Sequence, residues 1–154
     1  MKKELKKLLF KMFLISIVGI ALALWESVVV IYLRMIPAVV DSYVLPLIPH
    51  FPAELMGIEQ LREAATLVVF VLVPILAGKT NWERFAIFLW LFAIWDIFYY
   101  IFLYLFIGWP SSIFEWDVVF LLPREWWFPV YGALLVMIGA LGASVFILKK
   151  KVLN

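Results

Sequence analysis

The sequence predicts an all-α, polytopic membrane protein with four transmembrane helices and apolar, proline-bounded outer connections. Three observations carry that prediction. The chain of 154 residues is 67% hydrophobic with a mean hydropathy of +1.08, whereas soluble domains are roughly 45–50% apolar. Four stretches, at about 8–33, 53–77, 82–107 and 129–148, match the roughly 20 apolar residues that cross a bilayer. The basic residues gather at those ends of the stretches that share one side. All of 1–154 reads as a single transmembrane domain, with no internal repeat and no low-complexity tract.

The first helix opens with Lys2, Lys3, Lys6 and Lys7 and then runs apolar to about residue 33. Basic residues before an apolar run resemble a signal peptide. The run is too long for one, however, and no small-residue cleavage site ends it, so a retained helix is expected. Ser16, Gly19 and Ala23 lie on one side of it, where small residues let a neighbouring helix approach. Its far end reads WESVVVIYLR and carries Glu26 and Arg34. The next segment, 35–52, contains Pro37, Pro46, Pro49 and Pro52, a density that forbids a regular helix. It reads as an interfacial loop, with His50 near the interface.

The second helix has Pro52 at or just before its first turn and includes EQLREAAT, because the strictly apolar part that follows is too short to span. Glu59, Glu63 and Thr66 fall on one face of it. Pro74 introduces a kink and Gly78 a stop. After a tight connection at 78–81, the third helix continues until Gly108, Trp109 and Pro110 end it. Asp96 lies near the middle of this span, inside WDIFYY. The segment 111–127 reads as an apolar connection whose tryptophans suit a membrane interface. The fourth helix carries the small-residue pairs Gly139/Ala143 and Ala140/Ser144 and closes on Lys149, Lys150 and Lys151.

With four spans both termini share a side. That side collects Lys2, Lys3, Lys6, Lys7, Lys11, Lys79, Arg84, Lys149, Lys150 and Lys151, ten of the 13 Lys and Arg. The positive-inside rule then predicts a multi-pass protein of the cell (plasma) membrane with both termini cytoplasmic. The acids run the other way, nine of 11 lying in the outer half or outer connections.

A carboxylate at mid-membrane costs about 2.5–3.5 kcal/mol on insertion scales, so Asp96 needs a partner, a proton or an ion. In an antiparallel hairpin turning at 78–81, residues at equal depth have numbers of constant sum. The rule sets Glu63 level with Asp96, Glu59 level with Tyr100, and Thr66 level with Ala93. A polar seam from mid-membrane to the outer surface is expected. Glu26 falls near the same layer, and Glu115 and Asp117 can fold down as a lid. The candidate metal ligands are Glu26, Glu59, Glu63, Asp96 and Asp117, with Arg34, Arg62, Tyr99 and Tyr100 around them. Oxygen-only ligation suits Mg, Ca or Mn rather than zinc or iron.

The absence of cysteine excludes disulfides, thiolate metal sites and cysteine nucleophiles, and one histidine excludes multi-histidine metal or haem sites within one chain. No G-x-S-x-G, Walker loop or H-E-x-x-H occurs. Basic residues confined to membrane edges give nucleic acid no surface.

WESVVVIYLR, LREAATLVVF, WERFAIFLWLFAIWDIFYY and GWPSSIFEWDVVFLLP together resemble an uncharacterised group of small prokaryotic membrane proteins, over about 26–123. The resemblance implies a prokaryotic four-helix integral membrane protein and carries over no activity and no functional residue.

Three functional readings stay open. One is a membrane carboxylate site that binds a divalent cation or exchanges protons. A second is a non-catalytic subunit or assembly partner of a membrane complex, its acids held in ion pairs by Arg34 and Arg62. Helices 1 and 4 would then contact partners or a second copy. A third is an intramembrane metal-dependent enzyme acting on a lipid-like substrate. Bilayer lipid is the surrounding partner in all three.

Overall fold

A computed structural model describes residues 2–35 and 53–153. The expected interfacial loop, with its prolines and His50, lies outside them. The elements are α1 (Lys2–Met35), α2 (Ala53–Ala77), α3 (Asn81–Ile107), β1 (Trp116–Phe120), β2 (Trp126–Pro129) and α4 (Val130–Leu153). All four helices are long and apolar enough to cross a membrane. The ends differ from expectation where charged residues continue a helix past the apolar run. α1 begins at Lys2, since lysine is a good helix former, and α4 continues through the closing lysines.

α3 is the central helix, and α1, α2 and α4 all pack against it. Its Ala86, Ile87, Leu91, Ala93 and Leu103 are fully buried, while Phe10, Phe13, Leu76, Leu105 and Phe146 point outward from the bundle. An apolar periphery around an apolar core is what lipid as solvent requires. The α1–α3 contact uses the small-residue face the sequence marks. A Cβ at Gly19 would stand 3.0 Å from Ile94 Cγ2, and Ala23 is fully buried. Trp90 adds a polar link by donating from Nε1 to Ser16 Oγ at 2.9 Å. On α4, Ser144 is fully buried and donates to the Ala86 carbonyl at 2.7 Å. A Cβ at Gly139, by contrast, would meet nothing within 4 Å among the described residues.

The lysine end is locked where α2 turns into α3. Thr80 caps α3 by accepting the Glu83 amide at 3.2 Å. Glu83 in turn accepts the Lys79 amide at 2.8 Å. Lys11 of α1 reaches both Glu83 Oε1 at 2.8 Å and the Ala77 carbonyl at 3.0 Å. A buried acid next to a basic helix end is thereby neutralised. At the opposite end Gly108 stops α3 in the left-handed region (φ 67°), its amide closing on the Tyr104 carbonyl.

The apolar connection expected over 111–127 carries regular structure that its sequence did not announce. It folds into an antiparallel hairpin with Trp116 opposite Pro129, Asp117 opposite Phe128 and Val118 opposite Trp127. A bulge between Val118 and Phe120 shifts the register. β-Branched and aromatic residues favour this pleated surface. The hairpin is pinned to the bundle rather than free in the interface. Phe120 stacks on Phe92 of α3 at 6.0 Å, and the Val130 and Tyr131 amides donate to the Glu115 and Ile113 carbonyls.

Candidate functional site: an acidic cavity under the hairpin

At the hairpin end, α1, α2, α3 and the hairpin enclose a cavity of about 630 Å³. All nine residues singled out from the sequence line it: Glu26, Arg34, Glu59, Arg62, Glu63, Asp96, Tyr99, Tyr100 and Asp117. The structure distributes them over three separate arrangements.

The first is an ion-pair triad. Arg62 presents its guanidinium to Glu26 through two hydrogen bonds of 2.5 and 2.8 Å. Its Nε donates to Glu59 at 2.7 Å. The planar fork of arginine makes such bidentate pairing possible. Glu59 and Arg62 sit three residues apart on α2, so one helix face supplies both. Glu26 arrives from α1, and the triad ties the two helices together.

The second is a clamp on the hairpin. Glu63 Oε2 accepts the Leu121 amide at 2.7 Å, and Gln60 donates to the Leu121 carbonyl at 3.1 Å. The expectation that Glu63 lies level with Asp96 holds only to the extent that both line one cavity. Among the described residues no hydrogen bond joins the two carboxyls. Glu63 Oε1 is buried without a partner among the described residues.

The third is the Asp96–Asp117 pair. Asp96 comes from mid-α3 and Asp117 from β1, and each is 8% exposed. They lie close enough to interact electrostatically. Among the described residues Oδ2 of both is buried without a hydrogen-bond partner, as is Trp95 Nε1. The alternation of the β-strand turns Asp117 inward while Trp116 faces out at 52% exposure. Burial pushes the Asp117 carboxyl up to about 6, although Arg34 and the Tyr100 and Tyr99 hydroxyls beside it pull the other way. Arg34 forms no ion pair at contact distance among the described residues. Its guanidinium lies over the Trp109 ring at 4.1 Å.

The lid expected from Glu115 and Asp117 is thus divided. Both line the cavity, but Glu115 also bonds to the Ser111 hydroxyl and accepts the Ser111 amide at 3.0 Å. Among the described residues no group of three or more histidine or acidic side chains is placed to hold a metal ion. Sequence reasoning missed Gln60, Trp95 and Trp109 as parts of this region. Gln60 carried a usable signal, lying beside Glu59 and Glu63 on a span. The apolar walls carried none, because tryptophan and phenylalanine are abundant throughout the chain.

No family model, no curated protein and no solved structure matches this chain.

Proposed function

We propose that this multi-pass membrane protein takes up a cation in exchange for a proton at the Asp96–Asp117 pair. One observation supports the reading above others. Two carboxyls from different elements bury, in the wall of one cavity, oxygens that have no partner among the described residues. A carboxylate so placed in a membrane is costly, and a proton or a cation removes the cost. Arg62 does not serve, because its three bonds go to Glu26 and Glu59. Those two acids have the structural role of the ion-pair reading, tying α1 to α2. Mg, Ca or Mn remain candidate cations for the pair, with Tyr99 and Tyr100 as neighbouring oxygens and Glu63 on the same cavity wall.

The lysine-rich end fits the cytoplasmic side of a cell membrane, which sets the hairpin and the cavity toward the outside. A single cysteine at position 115, in a chain that has no other, is then labelled by an impermeant reagent added to intact cells. Labelling only after lysis reverses the orientation.

The exchange itself is read by infrared difference spectroscopy of the detergent-solubilised protein between mildly acidic and mildly alkaline pH. The reading expects a protonated-carboxyl band that disappears on the alkaline side and is missing from Asp96→Asn/Asp117→Asn. A wild-type spectrum without a titrating carboxyl band overturns it.

A further inference from the structure

Resting on that exchange site, we propose that its cation is the ammonium group of an amphipathic primary amine that carries an oxygen acceptor close to the nitrogen. The cavity's size is the first reason. At about 630 Å³ it falls within the roughly 300–1,000 Å³ of small-molecule sites and far exceeds the room one ion needs. Its walls are the second. Leu67, Phe70, Trp95, Trp109 and Trp127 give an apolar body a dry surface, a cost for a hydrated ion but a gain for a hydrocarbon chain or ring.

Charge is the third reason. Six carboxylates and two arginines line the cavity. Arg62 is committed to Glu26 and Glu59, while Arg34, over the Trp109 face, still acts on Asp117. Four further acids, Glu63, Asp96, Glu115 and Asp117, stand against that one charge and favour a positive ligand. A hard metal ion asks for six or more oxygens, and no group of three or more acidic or histidine ligands converges among the described residues. An ammonium group asks for three acceptors at most. Asp96 Oδ2 and Asp117 Oδ2 are two acceptors without donors among the described residues, on side chains more than nine-tenths buried.

The aromatic row beside them suits the same group. Trp95 contacts Tyr99 at 6.3 Å, Tyr99 contacts Tyr100 at 5.1 Å, and Tyr100 contacts Trp109 at 6.1 Å. Desolvated ring faces attract a cation. One buried donor, Trp95 Nε1, has no partner among the described residues and completes the specification. It needs an acceptor that a simple alkylammonium lacks and a neighbouring ether, ester or hydroxyl oxygen provides. That chemistry has two sources, a free amphipathic amine and the amine-bearing headgroup of a bilayer lipid.

The test is calorimetric titration of the full chain in phosphatidylcholine nanodiscs with phenoxyethylamine, and with phenoxyethanol as its neutral counterpart. The amine should bind saturably and the alcohol about tenfold more weakly, the loss of one charge-assisted contact. Asp117→Asn and Asp96→Asn should each weaken the amine by about tenfold and leave the alcohol unchanged. Equal binding of amine and alcohol to the wild type overturns the proposal without recourse to any variant. Phosphatidylethanolamine added to the nanodisc separates the sources. Competition with the amine supports the lipid headgroup, and unchanged amine affinity supports the free amine. If the amine fails while sodium or calcium chloride removes the protonated-carboxyl band, the ligand class is wrong and the exchange site stands. If the wild type has no such band, both fall together.

Discussion

Replacing Arg62 with glutamine removes the one cation that Glu26 and Glu59 share. Three charge-assisted hydrogen bonds disappear, of 2.5, 2.8 and 2.7 Å. The Arg62, Glu26 and Glu59 side chains are 22%, 13% and 8% exposed, so both acids remain largely buried without compensation. Removing one partner of a buried pair costs about 3–5 kcal/mol. The partial exposure of this triad places the expected loss near the lower end, about 3 kcal/mol. Unfolding in mixed micelles, followed by helical circular dichroism against the fraction of denaturing detergent, reads this directly. Arg62→Met combined with Glu26→Gln and Glu59→Gln should recover most of the stability, to within about 1 kcal/mol of wild type, because no charge is left buried. If Arg62→Gln unfolds at the wild-type detergent fraction, the triad does not hold α1 against α2 and the assignment of Glu26 and Glu59 to a structural pair is wrong.

Two further outcomes follow from the hairpin. Glu63→Ala removes the acceptor of the Leu121 amide. The bond is charge-assisted and worth about 1.5–3 kcal/mol, so trypsin should cut after the exposed Arg124 several-fold faster than in the wild type. An unchanged cleavage rate contradicts the clamp. The Asp117 carboxyl, raised by burial from its ordinary 3.8 to about 6, ties stability to pH. Its folded-state value lies above the unfolded one, so its contribution is fully present below about pH 4 and is lost as pH rises through about 6. The groups facing it are Arg34 from α1 and Asp96, Tyr99 and Tyr100 from α3. Asp117→Asn should flatten that part of the pH–stability profile, by an amount on the order of 3 kcal/mol. A profile that keeps its slope in the variant assigns the titration to another group.

The four spans were legible because their signals are local. Apolar runs of spanning length, Pro52 before α2, Gly78 after it and Gly108 after α3 punctuate the chain without any tertiary knowledge. The small residues Gly19, Ala23 and Ser144 also announced contacts that exist, since close helix approach excludes larger side chains. Gly139 did not, because small size permits an interface but does not create one. The hairpin was illegible for a reason specific to membrane chains. Strand periodicity is visible when one face is polar. WDVVF and WWFP have almost no polar face, so they read as interfacial tryptophan-rich connection.

The acids were easy to find and hard to pair. Asp96 stands out in any hydropathy reading of α3. Which acids Arg62 takes depends partly on spacing, which indicates Glu59, and partly on how α1 packs, which adds Glu26. Glu63 was set level with Asp96 by helix depth, whereas its oxygen goes to the Leu121 amide just past β1, which no helix-only scheme contains. Lys11 was counted only among the basic residues that set orientation, and only the packing of α1 beside the α2–α3 turn joins it to Glu83.

The most direct measurement is proton release. Wild-type protein in weakly buffered solution near pH 6 is mixed with saturating phenoxyethylamine or calcium chloride, and the pH is followed against Asp96→Asn/Asp117→Asn. Exchange at the Asp96–Asp117 pair predicts release of roughly one proton per chain from the wild type and none from the double variant. The same release from both proteins, or none from either, contradicts the site.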